Sequence, residues 1–225
     1  MVKASISQAV KDQVDGDSIL QEALARGIVN VSAAARAMES AIRSRIGKEV
    51  SEDAVVTSLK RIKGRYERRT VDYLKVLAGS SIEVKTDLSK ISVVVSAKTV
   101  STIKSIAFKS YDSFLQISSS PNAYTLVFQQ ALFESVKKEF DELDLMEANV
   151  DLAALIIHSP EDIIFVPGCV SVILSKIARE GVNVEDIVSS YTDTMIVVKM
   201  KDVVKAFTAL TDLVTEARQD RGVEP

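Results

Sequence analysis

Residues 166–187 read VPGCVSVILSKIAREGVNVEDI. The run opens on Pro167-Gly168, a turn pair. Beyond it, apolar residues recur at Val170, Ile173, Leu174, Ile177 and Ala178, the three-and-four spacing of one helix face. Gly181 follows, the residue type best suited to a position just past a helix C-terminus. Val182-Asn183-Val184 begins a new extended run, and Leu155-Ile156-Ile157-His158 is a strand candidate upstream. The order is strand, loop, Pro-Gly, helix, Gly, strand.

That order, with the "EGVNV" after the helix, resembles the first half of an ACT domain. The resemblance continues through residues 195–200 and 201–214, about the last third of the chain. It implies a small ferredoxin-like module, strand-helix-strand-strand-helix-strand, that binds an amino acid or similar small acid as effector. It also implies self-association, so a homodimer through this part is expected.

Composition bounds the rest. The chain has 225 residues, with 47% hydrophobic and 5% aromatic residues and no Trp, so Val, Ile, Leu and Ala must build the core. Gly and Pro are sparse, which argues against long disordered linkers. Cys169 is the only cysteine; no intrachain disulfide can form, as fits a reducing compartment. Residues 1–14 lack the apolar run of a signal peptide. No segment approaches the roughly 18 apolar residues of a membrane span. A soluble cytoplasmic protein without a membrane partner is expected. The formal charge of −3 conceals an asymmetry: residues 1–79 are net basic and the remainder is net acidic. Two modules with different partners are implied.

Residues 1–79 read as helices only. Ile6, Ala9, Val10 and Val14 share the face of a first helix. Asp17 or Ser18 can cap a second, whose face is Ile19, Leu20, Ala23 and Leu24. Ser32 is the expected cap of a third helix over 33–46, closed by Gly47. Ser51 caps a fourth, from residue 52 to about 69, with Val55, Val56, Leu59 and Ile62 inward. Residues 70–78 read as a linking segment. The third and fourth helices resemble the positioning and recognition helices of a helix-turn-helix, joined by a turn longer than usual. On that reading Thr57, Ser58, Lys60 and Arg61 face DNA, while Arg65, Arg68 and Arg69 contact phosphates. The alternative stays open: a solvated basic helix end, stabilised by the helix dipole.

After Gly79 the hydrophobic period changes from helix to strand. Residues 82–85 and 91–96 read as two strands, 98–109 as a helix, 114–117 and 124–128 as a hairpin, 131–143 as a helix and 145–150 as a strand. The same order recurs over 152–215, with strands at 154–158, 182–189 and 195–200 and helices at 170–180 and 201–214. The second copy lacks a fourth strand, and 82–85 is a spare that could fill the gap, as strands are lent in the tandem ACT pairs of aspartate kinases. The fold class expected is α+β: a helix-turn-helix-like domain over 1–79, then two ferredoxin-like, ACT-like modules over 80–150 and 151–225, each with its own four-stranded sheet.

The resemblance places the effector where the first loop meets the helix. Free N–H groups at a helix start attract a carboxylate, and Gly168 lets the backbone come close. The candidate lining is Asp162 for an ammonium group, Val166, Pro167, Gly168, Cys169 and Val170 at the helix start, and Asn183, Ile187 and Ser189 on the next strand. The alternative is that Pro167-Gly168 only turns the chain. His158 is the sole histidine and cannot build a multi-His metal site. No Ser-His-Asp set, phosphate loop, CxxC or HExxH pattern is present. Neither an enzyme, a metal nor a cofactor is expected. The expectation is a ligand-responsive regulator of transcription. The alternatives are a protein-docking module that does not bind DNA and a regulatory subunit of a metabolic enzyme.

Overall fold

The computed structural model describes residues 5–109 and 113–219, apart from the side chains of residues 68–70. Contacts divide the chain into two compact units: Met1–Lys75 with Val166–Gly168, and Val76–Phe165 with Cys169–Pro225.

The helical unit starts with α1 (Ile6–Asp15) and α2 (Ser18–Ala25). Each is capped by a side-chain oxygen: Ser5 accepts from the amide of Gln8 at 3.2 Å, and Asp17 from that of Leu20 at 2.9 Å. Helix α3 (Val31–Ile46) is capped by Asn30, 3.1 Å from the amide of Ala33, rather than by Ser32. The helix begins two residues earlier than expected, so Ser32 already lies in its first turn. Gly47, at φ 65°, closes it in the left-handed conformation. Helix α4 (Glu52–Ala78) is 27 residues long. It continues through the expected linking segment because nothing between Gly64 and Gly79 breaks it, and Val76 and Leu77 are buried. Ala9, Val10, Val14, Leu24, Met38, Ile42, Val55 and Leu59 share one core. Tyr66 enters that core with its ring and donates its hydroxyl to Asp15 at 2.9 Å.

The second unit holds β1 (Ser81–Val94), α5 (Ala97–Lys109), β2 (Leu115–Ser119), β3 (Ala123–Gln129), α6 (Phe133–Lys137), β4 (Leu145–His158), α7 (Cys169–Arg179), β5 (Asp186–Ser190), β6 (Asp193–Lys199) and α8 (Val203–Gln219). Its strands form one six-stranded antiparallel sheet in the order β2-β3-β1-β4-β6-β5. Two separate sheets were expected. The difference arises because β1 and β4 each continue where two strands had been read. Asp87 and Asp151 take φ values of 56° and 57° at the crossings. Aspartate tolerates that left-handed geometry better than most residues. Each strand therefore shifts its path without ending, and the β1–β4 register slips between Lys85 and Leu88.

Residues 81–85, the spare strand of the sequence reading, pair with 154–158: Ser81 lies opposite His158 and Lys85 opposite Ala154. Residues 88–94 of β1 pair with β3 on their other side. Helix α6 is much shorter than the expected 131–143. Short 3-10 turns at Gln130–Leu132 and Glu142–Asp144 flank it. Asp141, Glu142 and Asp144 would oppose the negative end of a longer helix.

The sheet curls strongly. Lys90 on β1 donates to the carbonyl of Glu185, at the start of β5, over 2.8 Å. Those strands stand three places apart in the sheet order, which in a flat sheet is about 14 Å. Leu88 and Val127 accordingly share a core with Met195 and Val197. On the other side of the sheet, Ile91, Val93, Leu126 and Phe128 pack against Ile103 and Ile106 of α5 and Val136 of α6.

Candidate effector-binding loop

The segment between β4 and α7 is built from its two ends. Strand β4 stops at His158 because Ser159 turns to donate its amide to the carbonyl of Thr192, 3.1 Å away, and Pro160 follows. Glu161–Ile164 forms a 3-10 turn, with the amide of Phe165 bonded to the carbonyl of Asp162 at 3.0 Å. Gly168, at φ 105°, then redirects the chain into α7. An L side chain rarely adopts that φ, so this position requires glycine.

The expected lining residues are distributed as follows. Asp162, Pro167 and Gly168 are exposed, Val166 and Val170 half-buried, and Cys169 buried. Burial pushes the Cys169 thiol above its ordinary pKa, so it is a packed thiol and not a thiolate. Ile187 and Ser189 lie opposite Ile196 and Thr194 on β5, and both are exposed. Strand β5 runs back toward the β5–β6 turn that holds Ser159, so Ser189 stands at the loop end of the strand. Asn183 does not join them. It follows the C-terminal end of α7, an 11-residue helix of about 16 Å, and its amide bonds Glu185 at 3.1 Å.

The sequence reading missed the contacts that fix the loop. Tyr191, at φ 54° in the β5–β6 turn, donates its hydroxyl to Glu161 at 2.9 Å. His158 lies between two carboxylates on neighbouring strands: Nδ1 is 2.9 Å from Asp193 and Nε2 3.4 Å from Glu83. Glu83 also pairs with Lys85 at 2.9 Å. The bond to Asp193, with help from Glu83, raises the His158 pKa above 6.5. A raised pKa favours the charged ring in the folded state. Its stabilisation is complete below the unfolded value near 6.5 and is lost as pH rises through the higher folded value. The group is exposed enough for solvent to screen most of the effect. Urea unfolding of the wild type should therefore show a small loss of stability as pH rises past 6.5 and through the raised His158 pKa, a loss that His158→Gln abolishes. An unchanged pH profile in the variant would remove His158 from the loop's electrostatics.

The proposed DNA face changes more. Ser58 is buried; its hydroxyl donates to the carbonyl of Ala54 at 2.8 Å and faces Ser7. It cannot meet a duplex, because its position on α4 faces the helical core. Arg61 bonds the hydroxyl of Ser7, and Lys63 pairs with Glu67. Thr57, Lys60 and Arg65 are exposed, while the side chains of Arg68 and Arg69 lie outside the described residues. On α3, Arg36 pairs with Glu52, Arg43 with Glu39 and Glu49, and Arg45 with Asp12. Among the described residues, no group of three or more His, Cys, Asp or Glu is arranged to hold a metal ion, and no helix is long and apolar enough to cross a membrane.

Residues 147–212 match the ACT domain family. The match takes in β4 from its third residue, the loop, α7, β5, β6 and most of α8. No curated protein matches the sequence. Among solved structures, aspartate kinase from Synechocystis is similar at 18% identity and a TM-score of 0.51, covering 61% of this chain and 27% of that one. Aspartate kinase from Clostridium acetobutylicum is similar at 16% identity and a TM-score of 0.50, covering 60% and 34%. The regulatory subunit of aspartate kinase from Thermus thermophilus gives 12% identity and a TM-score of 0.49, covering 59% and 95%. The chain spans about a quarter of the length of the first protein and about a third of the second. Their likeness concerns the fold alone.

Proposed function

We propose that the chain is a non-catalytic regulator that binds an amino acid or similar small acid as homodimer, through two ACT-like modules sharing one sheet. The match to the ACT domain at residues 147–212 carries this reading. The recurrence of the strand and helix order across 81–158 and 145–219 supports the two-module view. The effector's carboxylate meets the start of α7 at Gly168 and Cys169, its ammonium group meets Asp162, and Ser189 and Ile187 form the strand wall. The helical unit passes the signal to a macromolecular partner, either an enzyme that the chain regulates or DNA.

A thermal-shift screen of the twenty amino acids tests the effector. A ligand at a hundredfold its Kd should add about 2.7 kcal/mol to stability. Gly168→Val should abolish that gain, because a β-branched residue cannot hold φ 105°. Normal binding by a folded Gly168→Val protein would move the site elsewhere. DNA as partner is favoured by exposed Lys60 and Arg65 on the outer side of α4. Retention on DNA at low salt, falling by a log–log slope of about 0.9 per phosphate contact, distinguishes it from an enzyme partner.

A further inference from the structure

The outer face of α8 is divided in an unusual way. Its large apolar residues are all near one end: Met200, in the 3-10 turn before the helix, is 40% exposed, Val204 73% and Phe207 39%. They stand four and three residues apart, on one side of the helix. Farther along, the exposed uncharged residues are Thr208, Thr211 and Thr215, with Gln219 at the last position of the helix. The charges flanking this face divide the same way. Lys201 and Lys205 lie at the first end, Asp212 and Glu216 at the second, all exposed. Among the described residues, Lys201, Lys205 and Asp212 form no ion pair within the chain; Glu216 reaches Lys176 at 3.2 Å.

A twofold interface presents the same patch on both sides, so the patch must complement itself when reversed. Here it does so in a single register. The midpoint between Lys205 and Asp212 falls between Thr208 and Ala209, and so does the midpoint between Lys201 and Glu216. Two copies of α8 crossing antiparallel about that point bring each lysine to a carboxylate of the other copy. In the same register Val204 and Phe207 of one copy lie over Thr208, Thr211 and Thr215 of the other, large residues against small. Helices in contact stand 8–10 Å apart, a spacing that large-to-small pairing suits.

We infer that the outer face of α8 is the surface through which the chain binds a second copy of itself, helix against antiparallel helix. The inference rests on the homodimer reading and gives it a location. It does not depend on the effector.

Sedimentation equilibrium of the full chain at micromolar concentration tests it. The wild type should be dimeric. Lys205→Asp and Asp212→Lys alone should each raise the dimer Kd roughly tenfold or more, by placing like charges opposite one another twice per dimer. The double variant, Lys205→Asp with Asp212→Lys, should restore it, because the charge pattern is reversed but still self-complementary. A Thr208→Cys variant should cross-link under oxidation, while the wild type, whose Cys169 is buried, should not. A monomeric wild type would overturn the homodimer reading and this surface together. A dimer indifferent to both charge reversals would overturn the surface and leave the homodimer standing. Failure of the double variant to recover, with its helical circular dichroism intact, would overturn the antiparallel register.

Discussion

Replacing Lys90 by alanine should destabilise the sheet-bearing unit by about 3 kcal/mol. The Lys90 side chain is 6% exposed and pairs with Glu147 at 3.0 Å while donating to the Glu185 carbonyl. Asp186 lies within reach of the same charge. Burial raises its pKa, the amide of Ile187 and Lys90 oppose that rise, and its Oδ2 is buried without a hydrogen-bond partner among the described residues. Removing the ammonium leaves the Glu185 carbonyl and the buried Asp186 oxygen without their cation, while Glu147, 44% exposed, can turn to solvent. Methionine keeps the stem's volume, so Lys90→Met should cost less, about 1–2 kcal/mol. Its deficit should shrink in acid as Asp186, whose pKa burial raises, takes up a proton and no longer needs a counter-charge. Urea unfolding at two pH values measures both effects. Equal losses for alanine and methionine, unchanged by pH, would reduce Lys90 to packing.

A second large effect is expected at Gly79. A Cβ there would stand 2.7 Å from Cγ of Pro160, well inside van der Waals contact. Neither neighbour can move away easily. The proline ring is rigid, and the guanidinium of Arg218 grips both sides of the glycine, donating to the carbonyls of Ala78 and Ser80 at 3.0 Å each. Ser80 in turn bonds Ser159 at 3.1 Å. Gly79→Ala should therefore cost about 2 kcal/mol, the scale of overpacking. Gly64→Ala serves as the contrast: its nearest neighbour is the end of the Glu67 side chain at 3.9 Å, so relief of glycine's entropy in a helix should stabilise by about 0.5–1 kcal/mol. Two chemical denaturation curves settle the comparison, and a neutral Gly79→Ala would mean that Pro160 yields.

These two sites also mark where the sequence stopped being readable. Helix α7, Asp17 as one of two candidate caps of α2, Ser51 as the cap of α4, whose hydroxyl accepts from the amide of Ala54 at 3.3 Å, and the need for a borrowed strand were all visible, because they depend on spacing or on a residue and its near neighbours. The continuity of β1 and β4 was not. It turns on Asp87 and Asp151 adopting a left-handed φ, and an aspartate between two apolar runs reads as a loop. Ser58 was misread because its polarity was weighed above its position: three residues after Val55 and four before Ile62, it falls on the inward face, where its hydroxyl is spent on the Ala54 carbonyl. In the candidate effector loop, Pro167-Gly168 and the start of α7 were legible. Tyr191 and Glu161 were not, since thirty residues separate them and only the fold of the hairpin brings them together. Asn183 looked close in sequence but stands at the other end of α7.

The sharing of β1 and β4 across the whole sheet governs the order in which the chain can be assembled. Residues 81–85 leave the ribosome before almost everything they must pair with. Their partner, 154–158, follows about seventy residues later, which at roughly 5–20 residues per second is a delay of about 4–14 s. During that interval β1 can find β3 but its first five residues hang as an unclaimed edge, open to the same segment of a neighbouring nascent chain. The ACT match at 147–212, expressed alone, would have the reverse defect: a β4 whose intended neighbour was never made. Such a fragment should recover its missing strand only when residues 81–85 are supplied, on the same chain or on another.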